Sequence, residues 1–316
     1  MAMQREKLPY GGGYYHLMNR INGKKHSYPF EKTDKEFAVN LLKKLSAYYY
    51  LEIISYCIMG NHFHIVLYNP PNTDIPDDRT IIERHNTYYA DEPHNQIEPD
   101  DNEAIAHIRN KMNDISFFMQ AFEQKFTLFY NDKHDRRGPL WCGRYTSAIL
   151  EGATALWPVV EYLELNPVRA GLCKDPGDYR FSSWGEAKGT GRHSFSANFT
   201  KHLKLNMGDF FIDISDADLF SEFSGQISEI AASERGLKGK ALQDKVDKAR
   251  AGDNWGIRLL RRIKHFTDGG IIGSENFIRK TAACFYDKKR VSRKKLSKCG
   301  KENAHSLFSF RIVRLI

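Results

Sequence analysis

Two short stretches of this chain carry side chains suited to acting on a common substrate. In Ile58-Met59-Gly60-Asn61-His62-Phe63-His64-Ile65-Val66-Leu67, two histidines alternate with bulky apolar residues. A strand sends residues two apart to the same face. His62 and His64 therefore project together, while Phe63 and Ile65 enter a core. Two imidazoles side by side at the start of a strand form half of a metal site. In Glu161-Tyr162-Leu163-Glu164-Leu165-Asn166-Pro167, the tyrosine and the asparagine stand four apart. On a helix that spacing is about one turn along one face, so a phenol hydroxyl and an amide oxygen are offered together. Each residue type also has a structural use: a satisfied histidine pair, a core tyrosine, an asparagine closing a helix before proline. With 16 tyrosines in the chain, Tyr145 and Tyr179 are rivals of Tyr162.

The flanking pattern says what must hold these groups. Tyr14 to Ile21 follows Gly11-Gly12-Gly13 and reads as a first strand. Thr33, with Glu36 three residues on, has capping-box spacing for a helix to about Tyr50, whose apolar stripe is Phe37, Leu41, Leu42 and Leu45. Leu51 to Met59 and His62 to Tyr68 are β-rich runs joined by the turn signal Gly60-Asn61. Residues 69–104 hold 5 of the 11 prolines and 10 acids against 2 arginines, which predicts an exposed acidic insertion with at most a short helix near Ile81–Tyr89. Ile105 to Tyr130 then has the period of one long helix, and Leu140 to Leu150 reads as a fourth strand. Ala153 to Leu165 is the helix that bears Tyr162, ended or distorted by Pro167. Asp175 to Gly191 reads as a loop-rich closing segment.

This order, β-α-β-β-α-β, is the ferredoxin-like split arrangement with an antiparallel sheet, an α+β fold. We place this domain at 1–200, and a mainly helical basic domain at 201–316. In the latter, Leu219–Ala232 is amphipathic. Trp255–Phe266, Gly269-Gly270 and Ser274–Phe285 read as helix, turn, helix, which serves either DNA binding or scaffolding.

Charge supports a polyanionic partner. The net charge is +8, but residues 238–301 hold 19 Lys/Arg against 6 Asp/Glu. Apolar residues are interleaved with that charge, as in Trp255-Gly-Ile-Arg-Leu-Leu-Arg-Arg-Ile263, which favours nucleic acid over a merely solvated tail. No run of about 18 apolar residues exists, so no membrane span is expected. The N-terminus lacks the apolar core of a signal peptide, and the five cysteines form no CxxC pair. They read as free thiols of a cytoplasmic protein.

These motifs resemble the HUH endonuclease superfamily, and within it the REP-associated tyrosine transposases and related insertion-sequence-200-like single-tyrosine proteins. The blocks are Gly12-Gly-Tyr-Tyr-His-Leu-Met-Asn-Arg20, Met59-Gly-Asn-His-Phe-His-Ile65, Gly138-Pro-Leu-Trp-Cys-Gly-Arg-Tyr145, Tyr162-Leu-Glu-Leu-Asn-Pro-Val-Arg-Ala-Gly171 and Tyr179-Arg-Phe-Ser-Ser-Trp184. They fall in family order over roughly residues 8–190. The acidic insertion and the long basic tail depart from short members of the family. The resemblance implies a metal-dependent enzyme that cuts and rejoins single-stranded DNA at hairpins or palindromic repeats, in a bacterial, nucleoid-associated setting, with no organic cofactor. It implies His62, His64 and Asn166 as ligands of Mg²⁺ or Mn²⁺, and Tyr162 as nucleophile. Arg20, Arg144 and Trp141 are candidate DNA contacts, with salt bridges and core packing as their alternative uses. The family includes monomers and dimers.

In that chemistry the tyrosine hydroxyl attacks phosphorus, a 5′-phosphotyrosine forms and the 3′-hydroxyl leaves; a second 3′-hydroxyl reverses the step. A phenol of ordinary pKa is a weak nucleophile, and a divalent ion on the phosphate offsets this. His134, Glu161 and Glu164 are the titratable groups nearest in sequence that could serve as base. A different class of reading is a domesticated, non-catalytic nucleic-acid-binding regulator on the same sheet.

Overall fold

The alternation read in the histidine strand sets the layers of the molecule. In the computed structural model, which describes residues 6–9, 11–23, 28–74, 76–206, 213–234, 270–298 and 307–310, four strands build the first sheet. They are β1 (Gly13–Arg20), β2 (Glu52–Ile58), β3 (His62–Asn69) and β4 (Thr146–Leu150), in the order β2-β3-β1-β4 and antiparallel throughout. Met18 and Cys57 lie opposite His64 on its two neighbouring strands. Tyr15, Leu17, Phe63 and Ile65 point to one face, where helices α1 (Lys32–Tyr48) and α4 (Ile115–Lys133) pack. There the Phe63 and Phe122 rings stand 5.1 Å apart. Each such side chain, fully buried, contributes on the order of 1.5–3 kcal/mol. The fold is thus the expected α+β, ferredoxin-like βαββαβ arrangement.

Several boundaries move for identifiable reasons. Helix α1 starts two residues early: Glu31, not Thr33, is the N-cap, and it forms a reciprocal capping box with Asp34. The long helix expected over Ile105–Tyr130 is two, α3 (Asn102–Met112) and α4, because Asp114 accepts from the Ser116 N–H and starts a new helix. The acidic insertion does carry one short helix, α2 (Asp78–Tyr88). It is anchored, with Ile81 fully buried and Nδ1 of His85 3.0 Å from the Tyr48 hydroxyl of α1. β4 is shorter than expected, and Trp141 only bridges to Ile21.

The helix that carries Tyr162 begins as a π-helical turn, Gly152–Leu156, and becomes α5 (Trp157–Glu164). Pro158 falls where the π-helical turn gives way to α5. Leu165 then joins α5 to the single turn α6 (Asn166–Arg169). Helices α5 and α8 (Ser196–Asn206) cover the face of the sheet opposite α1 and α4, with α7 (Ser183–Thr190) at the β2 edge. Helix α7 takes up the second half of the loop-rich segment expected over Asp175–Gly191.

The described C-terminal residues are helical in larger part, as expected: α9 (Asp216–Glu234), α10 (Glu275–Ala282) and α11 (Lys288–Arg293). They also extend the sheet. β5 (Gly270–Gly273) pairs parallel with β4, and β7 (Phe308–Phe310) and β6 (Ser297–Lys298) follow, giving seven strands in the order β2-β3-β1-β4-β5-β7-β6. Gly270, expected in a turn between two helices, is therefore in the sheet instead. Gly270 opens a strand whose Ile271 and Ile272 are buried, and Ser274 caps α10 by accepting from the Phe277 N–H. The Trp255–Phe266 helix lies outside the described residues, as does much of the basic stretch. A division at residue 200 falls inside α8.

Candidate active site

On the second face of the sheet, strand geometry gathers the histidines. Cross-strand partners share a face, so His62 and His64 of β3 stand beside Arg20, Met18 and His16 of β1 and Cys57 of β2. The rings of His62 and His64 are 5.1 Å apart. Helix α5 lies across them, with the Tyr162 ring 5.8 Å from that of His64 and 6.2 Å from that of His16. Two stretches about a hundred residues apart therefore meet in one site.

The hydrogen bonds suit the imidazoles to metal ligation. His62 Nδ1 lies 2.6 Å from Asn61 Oδ1. An amide oxygen only accepts, so Nδ1 carries the proton and Nε2 keeps its lone pair. His64 Nδ1 lies 3.0 Å from His16 Nε2. With His64 as donor there, its Nε2 likewise keeps a lone pair. Partners of this kind orient metal-binding imidazoles. Burial, with the nearby Arg20 charge, lowers the pKa of His62 to about 4. Burial, with His62 and His16 beside it, holds His64 well below its ordinary value. Both rings are neutral at physiological pH, the state a ligand needs.

Asn166 Nδ2 donates to the carbonyls of Tyr162 and Leu163, at 3.1 and 3.2 Å. The amide oxygen, the atom able to bind a cation, is at the other end of the group. Two neutral imidazoles joined by an amide oxygen would leave a divalent ion its full charge, chemistry that suits Mn²⁺ readily and Mg²⁺ through the oxygen and water.

Tyr162 is buried, 2% exposed. Burial pushes its hydroxyl up to about 12, against the lowering effects of the Arg169 charge and the Asn166 side chain. The Arg169 guanidinium lies 5.2 Å from the Tyr162 ring centroid and donates to the Tyr162 carbonyl at 3.3 Å. The rival tyrosines are engaged elsewhere: Tyr179 donates to the Ile58 carbonyl at 2.7 Å, and the Tyr145 hydroxyl is 3.4 Å from that of Ser116.

The candidate bases face other partners. Glu161 accepts from the Trp157 indole N–H at 3.0 Å, and Glu164 accepts from the Ser55 hydroxyl at 2.7 Å and the Trp184 N–H at 3.1 Å. Burial raises each of them to about 7. His134 contacts Asp34 at 3.1 Å in the α1–α4 layer. With Glu31 it makes a cluster of three groups spaced for a cation. Lys133 already occupies that place, donating to Glu31 at 2.9 Å and Asp34 at 2.7 Å, so the cluster reads as an ion-paired cap of α1.

Of the candidate DNA contacts, Arg20 is exposed beside His62, and Arg144 is exposed in the segment before β4. Trp141 lies toward the opposite layer, its ring 5.3 Å from Phe63 and its N–H donating to the Glu123 carbonyl at 3.2 Å. Sequence reasoning missed His16 and Arg169. Period-two placement of His16 with Tyr14 and Met18 on β1 was a usable signal. For Arg169 the signal was its position seven residues, about two turns, past Tyr162.

Strand order and helix placement define this part of the chain as a ferredoxin-like domain with a His–Tyr site on one sheet face. The family model described as "Transposase IS200 like" matches residues 10–98. This stretch holds β1, α1, β2 and β3 with His62 and His64. A solved structure of a REP-associated tyrosine transposase bound to a REP hairpin is similar over 60% of this chain and 87% of its own, at 15% identity and a TM-score of 0.40. No curated protein matches the chain. No helix among the described residues is long and apolar enough to cross a membrane.

Proposed function

We propose that this chain is an IS200-like transposase, a divalent-metal-dependent single-stranded DNA endonuclease and strand transferase with Tyr162 as nucleophile. The observation that carries the reading is the meeting of Tyr162 with His64 and His16, rings about 6 Å apart, at a face that also holds His62. His62, His64 and Asn166 would hold one Mg²⁺ or Mn²⁺ ion. Such an ion would supply Lewis-acid stabilisation of the phosphate's charge. The Tyr162 oxygen forms a bond to phosphorus as the bond to the 3′ oxygen breaks, and the departing 3′ oxygen takes up a proton. A 3′-hydroxyl attacking the phosphotyrosine restores a phosphodiester and releases Tyr162. His16 sets the orientation of His64. Arg169 opposes the effect of burial on the phenol and offers positive charge beside the oxygen that attacks. Hairpin-forming or palindromic single strands are the substrates that the motif blocks imply.

Incubation with labelled hairpin oligonucleotides and Mn²⁺, resolved on a denaturing gel, tests this. The wild type yields a covalent band, and Tyr162→Phe and His62→Ala do not. A Tyr162→Phe protein that still forms the adduct overturns the nucleophile, and full cleavage by His62→Ala overturns the metal site. The burial of Tyr162 favours a second reading, a non-catalytic nucleic-acid-binding regulator. Tight binding with no covalent band across many hairpins selects that reading.

A further inference from the structure

A second site lies away from the histidines, between α7, the turn that follows it and α9. It is an open cavity of about 870 Å³. Its chemistry is one-sided. Lys188 and Arg192 bring two positive charges, Ser221, Ser224 and Ser228 bring hydroxyls, and no aspartate or glutamate among the described residues lines it. The serines stand at i, i+3 and i+7 on α9, a spacing that puts them on one helix face. Behind them, Trp184 and Phe220 stack at 5.9 Å and 20° and close the floor.

The wall also holds an unmet donor. His193 lines the cavity and is 7% exposed. Its Nδ1 accepts from the Phe195 N–H at 3.1 Å, so in the neutral ring the proton is on Nε2. Burial keeps His193 neutral, lowering its pKa to about 4. That Nε2 is buried without a hydrogen-bond partner among the described residues. A buried N–H left unpaired typically costs about 1–3 kcal/mol, so this donor gains from any acceptor that reaches it. The nearest carboxylate, Glu186, is held by Lys43 and by the Ser194 hydroxyl, at 2.5 and 2.7 Å.

A ligand with several acceptor oxygens and negative charge meets all three features. The cavity is mechanically tied to the tyrosine helix. Phe223 of α9 packs on Trp184 at 5.1 Å and on Trp157 of α5 at 5.4 Å, and Trp157 also donates to Gln226 at 3.0 Å. A strand held in the cavity therefore lies across α9 from the helix that bears Tyr162.

We propose that the α7–α9 cavity binds the phosphodiester backbone of single-stranded DNA flanking the point of cleavage, through Lys188, Arg192, the His193 Nε2–H and the α9 serines. This rests on the reading of the chain as a single-strand nuclease. It adds a subsite that the histidine–tyrosine face does not require, carried by an element outside the family match.

Fluorescence anisotropy of the full chain with a labelled single strand, over a range of salt, tests the proposal. Lys188→Ala/Arg192→Ala is expected to weaken binding about tenfold or more and to flatten the salt dependence by roughly 1.4 in log–log slope, about 0.7 for each phosphate no longer neutralised. His193→Phe, which keeps the ring packing and removes the donor, weakens binding severalfold with little change in slope. At saturating DNA, the charge-pair variant still forms the covalent adduct, whereas Tyr162→Phe binds normally and forms none. Unchanged affinity and slope in the charge-pair variant, with the adduct formed, overturn the cavity and leave the nuclease standing. A wild type that neither binds strands nor forms the adduct overturns both. Inorganic phosphate at matched ionic strength leaves strand binding unchanged. If phosphate binds the wild type but not the charge-pair variant while strand affinity is equal in the two, the cavity takes the free ion and the DNA assignment falls.

Discussion

Replacing Arg169 by glutamine isolates the electrostatics of the nucleophile. Burial holds Tyr162 at about 12. At pH ~7.5 such a phenol is ionised in roughly one molecule in 30,000, against about one in 300 at the ordinary value of ~10. The difference is about 2.7 kcal/mol set against the attacking oxygen. The Arg169 guanidinium, 5.2 Å from the ring centroid, acts in the opposite direction. A unit charge about 6 Å away in a medium of effective dielectric ~20 stabilises tyrosinate by roughly 2–3 kcal/mol. Solvent and the new amide recover part, leaving about 1–2 kcal/mol, or 5–30-fold slower attack. The assay is single-turnover adduct formation on a hairpin oligonucleotide with Mn²⁺, at several pH values from ~7 to ~10. The wild-type rate climbs with pH, and Arg169→Gln runs parallel below it. Arg169→Lys, which keeps the charge, lies between. Equal rates for wild type and Arg169→Gln refute the argument. If Lys is as slow as Gln while both melt like the wild type, the hydrogen bond to the Tyr162 carbonyl is what counts, and the charge argument is wrong.

Other outcomes follow from the same geometry. Because burial keeps His62 at about 4 and His64 well below its ordinary value, protons compete weakly for the ligand atoms, and Mn²⁺ affinity stays level from pH ~8 to ~5 by EPR titration; a tenfold fall between pH ~7 and ~6 contradicts this. The same depressed values mean that below pH ~6.5 the unfolded chain takes up protons that the native chain refuses, so metal-free conformational stability is full above that pH and declines toward pH ~4; thermal melting that is flat across this window counts against it. Asp34 has no exposed side-chain surface and is held by Lys133, His134 and the Glu31 N–H. Asp34→Ala leaves those donors unmet and lowers unfolding free energy by about 3 kcal/mol in denaturant titration; a loss below ~1 kcal/mol, the range of solvent-exposed pairs, refutes it.

The local order of elements was legible because it rests on periods the chain must obey. The alternation of His62, Phe63, His64 and Ile65 set the two faces of β3, and Gly60-Asn61 marked the hairpin that aligned β3 with β2. Helix starts were less legible, since several side chains compete to cap one N-terminus: Glu31 prevailed over Thr33, and Asp114 cut one expected helix in two. The strands after residue 269 were misread because Gly270-Ile271-Ile272-Gly273 is too short to show a period. Their pairing depends on β4 offering an open edge, a fact of the assembled sheet.

By itself the sequence determined which residue types could do the chemistry and which neighbours share a face with them, because strand and helix periods are local. Only the tertiary structure decided what those residues meet. It set His16 against His64, laid Tyr162 over both, and put Arg169 beside the phenol. It also buried the phenol and the imidazoles, which fixes their protonation states. Those contacts join segments up to about 150 residues apart. Burial and electrostatics depend on distance in space, which no local period encodes.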